Sequence, residues 1–279
     1  MNLGLINEYI VLKETDIGYT LILDDLEYFL HKNETNFREL KDGEVVKAFL
    51  YLDKQSRPAL TLAIPKITIE NPGFATVISS IKDLGVFVNI GISKDILLSK
   101  DELPEDFKLW PIEGDKIFGI LKIKGNRLLF SPLLKEEILL IANNDPLFEK
   151  DYIDGYIYNV SVYGINLVSE NLHLLFAHFS NLREQHRIGQ KINVQVTQVN
   201  EDDYYVTALQ GRLSTIEIDS DTILNYLKKH NGEMPYTSKS KPEVIFKVFN
   251  ISKASFKRAL GNLYKQKIVL LEEEKTILL

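Results

Sequence analysis

Gly114-Asp-Lys-Ile117 opens an apolar stretch that reaches the polar turn Lys124-Gly-Asn126 and returns as Arg127-Leu-Leu-Phe130. Glycine beside polar residues supplies the positive φ and the side-chain to backbone bonding of a tight turn, so this reads as strand, turn, strand. The same order occurs twice more. Gly43-Glu-Val-Val46 leads through Tyr51-Leu-Asp-Lys-Gln55 to Pro58-Ala-Leu-Thr-Leu62, and Gly189-Gln-Lys-Ile192 leads through Asn200-Glu-Asp-Asp203 to Tyr204-Tyr-Val-Thr-Ala208. The anchors at 43, 114 and 189 are 71 and 75 residues apart. That period is too long for a propeller blade or a leucine-rich repeat and suits a complete five-stranded barrel. Each repeat is expected to be a domain.

A second feature precedes each anchor. Gly18-Tyr-Thr-Leu21 comes before Tyr28-Phe-Leu-His31, Gly85-Val-Phe-Val88 before Ile96-Leu-Leu-Ser99, and Gly164-Ile-Asn-Leu167 before Leu175-Phe-Ala-His178. Partial period-2 alternation in these runs fits half-buried strands. The last 67 residues differ: Ser220 to His230 has Ile223, Leu224 and Leu227 at helical spacing, with a Ser or Asp start and Gly232 as the stop. Pro242 fits the first turn of a second helix. Ser252 is placed to cap a third, Lys253 to Gln266, whose Phe256, Leu260 and Leu263 form a buried stripe. Two short strands, Ile268–Leu271 and Thr276–Leu279, follow across Glu272-Glu-Glu-Lys275. Three helices and a hairpin predict a winged helix.

Composition narrows the function classes. The 279 residues include no cysteine, which excludes disulfide scaffolds, thiol nucleophiles and Cys-ligated zinc or iron-sulfur sites. No apolar run approaches the roughly 18 to 20 residues of a membrane span, and the N-terminus lacks the basic and cleavage regions of a secretory signal. A cytoplasmic location is expected. There is no GxxxxGK[ST], HExxH, GxSxG or strand-linked GxGxxG pattern. His173 and His178 are five apart, unsuited to joint metal ligation on one helix or strand face, and the acid pairs Asp24-Asp25 and Asp202-Asp203 read as solvated turns. No catalytic residue, metal or cofactor is expected.

Asp83-Leu-Gly-Val-Phe-Val-Asn-Ile-Gly91 with Asp95-Ile-Leu-Leu-Ser99, and Ser238-Lys-Ser-Lys-Pro-Glu243 continuing into Ile251 to Gln266, are the segments in which the chain resembles the conserved virulence factor B family. These are bacterial RNA-binding regulators with tandem S1-like barrels followed by a winged helix. The resemblance spans essentially the whole chain and implies single-stranded RNA binding without a catalytic centre. The expected architecture is three small S1-like OB-type β-barrels, over 1–63, 64–140 and 141–212, followed by an α+β winged-helix domain over 213–279.

Such barrels grip single strands with exposed aromatic faces and with cations. Phe29 and His31 share a strand face in the first repeat, as Phe176 and His178 do in the third. Phe87 lies on the preceding strand of the second repeat, where S1-like domains commonly carry a base-stacking aromatic. Leu97 and Ser99 stand there at the positions of Phe29 and His31, while Thr20 and Asn166 stand at the position of Phe87. No repeat has the full aromatic set, so unequal RNA affinity is expected. For Phe87 and Phe176 the sequence leaves core and stacking roles balanced. Tyr19, Tyr28, Tyr163 and Tyr204 are further candidates.

Charge is divided unevenly. Residues 1–212 carry 22 Lys+Arg and 31 Asp+Glu, whereas 213–279 carry 11 and 8. Lys239, Lys241, Lys247, Lys253, Lys257, Arg258, Lys265 and Lys267 make an anion-binding surface plausible on the third helix and around it. Lys253, Lys257 and Tyr264 are expected to face outward together. The leading expectation is a non-enzymatic single-stranded RNA-binding protein, acting after transcription on bacterial gene expression. The alternative is a winged-helix transcription factor reading duplex DNA, with the barrels contacting protein partners.

Overall fold

The computed structural model describes residues 2–125, 127–142, 145–182, 184–208 and 212–279. Asn126, in the expected turn of the second repeat, lies outside them. The first barrel consists of β1 (Ile6–Glu14), β2 (Gly18–Leu23), β3 (Leu26–His31), β4 (Val45–Leu52) and β5 (Pro58–Thr61). The second consists of β6 (Gly73–Ile81), β7 (Gly85–Asn89), β8 (Ile96–Ser99), β9 (Lys116–Lys124) and β10 (Arg127–Pro132). The third consists of β11 (Tyr152–Val160), β12 (Gly164–Val168), β13 (Leu174–His178), β14 (Lys191–Val199) and β15 (Tyr204–Thr207). All three close with one topology, in which strand three pairs with strand five in parallel and strand four closes on strand one.

The repeated residues have repeated physical jobs. A β-bulge interrupts the first strand of every barrel, at Val11/Lys13, Val77/Ser79 and Ile157/Asn159. Bulges bend and twist a strand, which a five-stranded barrel needs if one strand is to pair on both sides. The anchors Gly43, Gly114 and Gly189 have φ of +77°, +88° and +80°, so each turn into strand four takes a backbone conformation that side chains disfavour. Gly164 answers a different demand: a Cβ there would lie 2.1 Å from the Ala177 carbonyl oxygen, across the β12–β13 ladder.

Closure removes sheet edges and gives each barrel an interior of alternate residues. Leu21, Leu30, Leu50 and Leu60 fill the first, Val77, Val88, Leu98 and Phe130 the second, and Ile165, Leu167, Val194 and Val206 the third. The barrels are also joined to one another. Phe49, Tyr51 and Leu52 of the first barrel belong to the same buried cluster as the core of the second. Between the second and third, α1 (Lys135–Ile141) buries Ile138 against Phe118, Leu133, Val168 and Leu174. Arg187 Nε and Nη2 donate to the two oxygens of Asp115 at 2.8 and 2.9 Å, and the backbone N–H of Lys116 donates to Gly189 O. The boundary expected at residue 140 thus falls inside a helix that joins two barrels.

The C-terminal part contains α2 (Arg212–Lys229), β16 (Glu233–Met234), α3 (Pro242–Phe249), α4 (Lys253–Lys265), β17 (Val269–Leu271) and β18 (Thr276–Leu278), with sheet order β16-β18-β17. Its own core includes Ile223, Leu227, Ile245, Phe249, Phe256 and Leu260. The first helix starts earlier than the sequence suggested. Ser220 is no cap: it is buried, and its Oγ donates to Ile216 O one turn back, a bond that a serine inside a helix makes. Ser252 does cap α4, accepting from Ser255 N at 3.1 Å. Ser252→Ala is expected to lower the unfolding free energy of this domain by about 1 kcal/mol, read from the urea midpoint, with an unchanged midpoint counting against the cap.

Candidate nucleic-acid interface

The strand alternation decides where the aromatic candidates point. In β3, Tyr28 and Leu30 are buried while Phe29 is half-buried and His31 exposed; in β7, Val86 and Val88 are buried around a half-buried Phe87; in β13, Leu175 and Ala177 are buried around a half-buried Phe176. Adjacent residues of a strand face opposite ways, so all three phenylalanines lie on the outsides of their barrels. Tyr19 and Tyr28 are corrected by the structure: both are buried, Tyr28 edge-on to Tyr9, and Tyr19 with its hydroxyl 3.4 Å from Leu40 N. Tyr163 is exposed in a turn, and the hydroxyl of Tyr204 accepts from Leu147 N.

Cross-strand register lines these residues up. The row through the first barrel reads Thr20, Phe29, Ala59, Tyr51; through the second, Phe87, Leu97, Leu129, Lys122; through the third, Asn166, Phe176, Tyr205, Gln198. Tyr205 was not singled out from the sequence. It is 44% exposed, and its ring centroid lies 5.6 Å from that of Phe176, so the third barrel presents two aromatic rings side by side. Period-2 counting from Val206 would have found it.

His31, Ser99 and His178 share one structural task. Each accepts a backbone N–H two residues on, from Asn33, Asp101 and Ser180, and so caps a single 3₁₀ turn that leaves strand three. With Nδ1 as acceptor, a neutral imidazole carries its proton on Nε2, and both histidines are exposed. A cap and an outward N–H donor next to the aromatic row coexist in one side chain.

Clefts connect the first two rows. One of about 340 Å³ is lined by Phe29, His31, Glu34, Tyr51, Arg57 and Lys94, among others; a second of about 210 Å³ is lined by Phe87, Leu97, Leu129, Arg127 and Lys94. Lys94 is the shared wall. Its Nζ donates to the carbonyl oxygens of Leu52 and Asp53 at 2.7 and 3.0 Å, tying a loop of the second barrel to the turn of the first. Burial lowers the pKa of that ammonium, partly opposed by the charge of Asp53. A third cleft, of about 590 Å³, adds Ile123 and Lys124 beyond Arg127.

On the winged helix, Lys241, Lys257, Arg258, Lys265 and Lys267 are exposed, Lys253 is half-buried, and Tyr264 is 54% exposed. Lys239 is engaged by Glu273 at 3.0 Å. The tip between β17 and β18 exposes Glu272, Glu273 and Glu274, an acidic hairpin beside the basic helix. Asp24 and Asp25 form an exposed hairpin turn with φ of 50° and 60°, and Asp203 pairs with Lys135 at 2.6 Å. His173 is buried, its Nδ1 2.9 Å from Ser169 Oγ and its Nε2 2.7 Å from Asp145 O. Among the described residues no group of three or more His, Asp or Glu side chains is arranged to hold a metal ion.

Comparison with known proteins agrees with this architecture. An S1 domain model matches residues 3–63, a model of the CvfB first S1-like domain matches 73–131, and a CvfB-like winged helix domain model matches 221–278. Conserved virulence factor B of Staphylococcus saprophyticus is 31% identical over 258 residues, covering 90% of this chain and 86% of its own. The chain belongs to the conserved virulence factor B family. Within that family the model named for the first S1-like domain falls here on the second barrel. YitL of Bacillus subtilis, described as uncharacterised, is 34% identical over 256 residues, covering 90% of this chain and 85% of its own. A crystal structure of a multidomain protein with nucleic acid binding domains from Streptococcus pneumoniae aligns over 100% of this chain and 99% of that one, with a TM-score of 0.66 and 29% identity. The family's domains, S1 and winged helix, are of nucleic-acid-binding type. Among the described residues no helix is long and apolar enough to cross a membrane.

Proposed function

We propose that this chain is a non-enzymatic single-stranded RNA-binding protein that regulates bacterial gene expression after transcription, in the cytoplasm and without a cofactor. The observation that carries this reading is the outward placement of Phe29, Phe87 and Phe176 in equivalent registers, with Tyr205 beside Phe176 and lysines and arginines bordering the clefts. Stacked bases need such faces and phosphates need such cations. Lys241, Lys253, Lys257, Arg258, Lys265 and Lys267 extend the phosphate track onto the winged helix.

Duplex DNA is the second reading, favoured by the exposed cations of α4. Three glutamates at the hairpin tip oppose it, because a wing laid against a phosphate backbone would bring carboxylates to phosphates. Anisotropy titrations of the full chain with single-stranded RNA, single-stranded DNA and duplex DNA of equal length separate the two. Tightest binding to single-stranded RNA is expected; preference for the duplex would overturn the reading. Replacing both Lys253 and Lys257 with alanine is expected to shallow the dependence of log K on log salt by about 1.4, at roughly 0.7 per phosphate contact on a single strand. An unchanged slope would remove those lysines from the track.

A further inference from the structure

We propose that the cleft between the first two barrels is a guanine-selective subsite, in which Glu34 of the first barrel, held by Ser93 of the second, reads the edge of the base. The proposal rests on the RNA-binding reading and adds base selectivity to it. It concerns a composite site, because neither barrel alone supplies both residues.

The cleft, at about 340 Å³, is at the small end of the roughly 300 to 1,000 Å³ that small-ligand sites occupy. Phe29 offers a flat apolar face beside Ala59, enough to stack one ring. Glu34 ends the 3₁₀ turn that His31 caps, and its own carbonyl accepts from Leu62 N at 2.8 Å, which ties its backbone to the end of β5. Ser93 Oγ donates to Glu34 Oε1 across the junction. The Tyr51 hydroxyl faces the same pair; burial, and then the charge of Glu34, push its pKa up, while Ser93 opposes them.

Two carboxylates line the cleft, and their surroundings separate them. Asp53 accepts from the N–H groups of Gln55 and Arg57 and from Arg57 Nε, so its oxygens serve its own turn. A carboxylate can accept about four hydrogen bonds, and the hydroxyls around Glu34 leave acceptor capacity toward the cleft. Guanine presents N1–H and the N2 amino group side by side, a pair of donors that matches one carboxylate. Adenine and cytosine present an amino group beside an acceptor, and uracil flanks its single N–H with two carbonyl oxygens. A fixed carboxylate therefore attracts guanine and repels uracil. Lys94, with two of its three donors on carbonyl oxygens, keeps one for a base oxygen or a phosphate at the passage to Phe87.

The test uses the full chain and labelled octanucleotides of uridine alone or of uridine alternating with guanosine, adenosine or cytidine. The guanosine oligomer is expected to bind about tenfold more tightly than oligouridine, the discrimination of one good bidentate base contact. In Glu34→Gln this ratio should fall to within about twofold, because the amide replaces one acceptor by a donor. Ser93→Ala, which leaves the carboxylate but releases it, should reduce the ratio part of the way, and melting curves establish that both variants are folded. Equal binding of all four oligomers by the parent protein would overturn the guanine subsite while leaving RNA binding intact. A preference for adenosine or cytidine, or a guanosine preference that survives Glu34→Gln, would also overturn it. Failure to bind any of them would defeat the RNA-binding reading itself.

Discussion

Arg187→Ala is expected to cost about 1 to 3 kcal/mol of stability, the loss that follows when a buried carboxylate is deprived of its charged hydrogen-bond donor. Asp115 is 9% exposed at its side chain and Arg187 29%, so the carboxylate is shielded while solvent partly screens the guanidinium. Both carboxylate oxygens accept from the guanidinium, at 2.8 and 2.9 Å, and Oδ2 also accepts from Ile112 N at 2.8 Å. Without Arg187 the carboxylate keeps that one N–H and remains enclosed. Asp115→Asn should cost less, because the more exposed guanidinium can turn toward water. The double variant Asp115→Ala with Arg187→Ala should fall well short of the sum of the single losses. Urea unfolding measures these differences, and a loss below about 0.5 kcal/mol for Arg187→Ala, the range of ordinary surface substitutions, would show that the pair does not hold the barrels together. The joint also includes Ile188 N to Leu109 O and Lys116 N to Gly189 O, so its loss should admit proteases between the second and third barrels first.

That joint was not legible in the sequence. Asp115 and Arg187 are 72 residues apart, and nothing local to either marks a partner. The barrels themselves were legible because their geometry makes local demands that recur. Gly43, Gly114 and Gly189 must turn with positive φ, and the strands that follow must alternate. The winged helix was legible from Ser252, Pro242 and the Phe256 stripe for the same reason. The helix α1 was missed, since its seven residues are held by the burial of Ile138 between two barrels and not by a long periodic pattern. The two-residue strand β16 is likewise defined by its pairing with β18 alone.

Among the candidate site residues, alternation indicated that Phe29 shares a face with His31 and Phe176 with His178. It did not show which face is inside, because both choices bury apolar residues: Tyr28 and Leu30 against Phe29, or Leu175 and Ala177 against Phe176. Packing of the whole barrel decides it: Tyr28 and Leu30, like Leu175 and Ala177, join buried residues of the other strands, which leaves the face of Phe29 and Phe176 outside. The histidines at the strand ends also read in the sequence as closers of strand-end hydrogen bonds, and in the structure each caps the turn after strand three. Ser99 performs the same task in the second barrel, which explains how a serine stands where two relatives by repeat have histidine.

The unequal rows of the three barrels lead to the largest expected loss of binding. Replacing Phe176 and Tyr205 together with alanine removes both rings of the third barrel's outer face, each able to stack one base at roughly 1 to 3 kcal/mol. The combined effect on single-stranded RNA affinity should be about 2 to 4 kcal/mol, roughly 30-fold to several hundred-fold, measured by anisotropy at fixed salt. Phe87→Ala should cost less, since Leu97 and Leu129 leave an apolar surface in the same row, and Phe29→Ala should lie at a similar level beside Thr20 and Ala59. The salt dependence should not change in any of them, because a ring neutralises no phosphate. Phe176 is half-buried and Tyr205 is 44% exposed, so melting should move much less than binding. A drop in affinity that merely tracks a drop in melting temperature would make the two rings structural, and RNA affinity within twofold of the parent at unchanged stability would take the third barrel out of the binding surface.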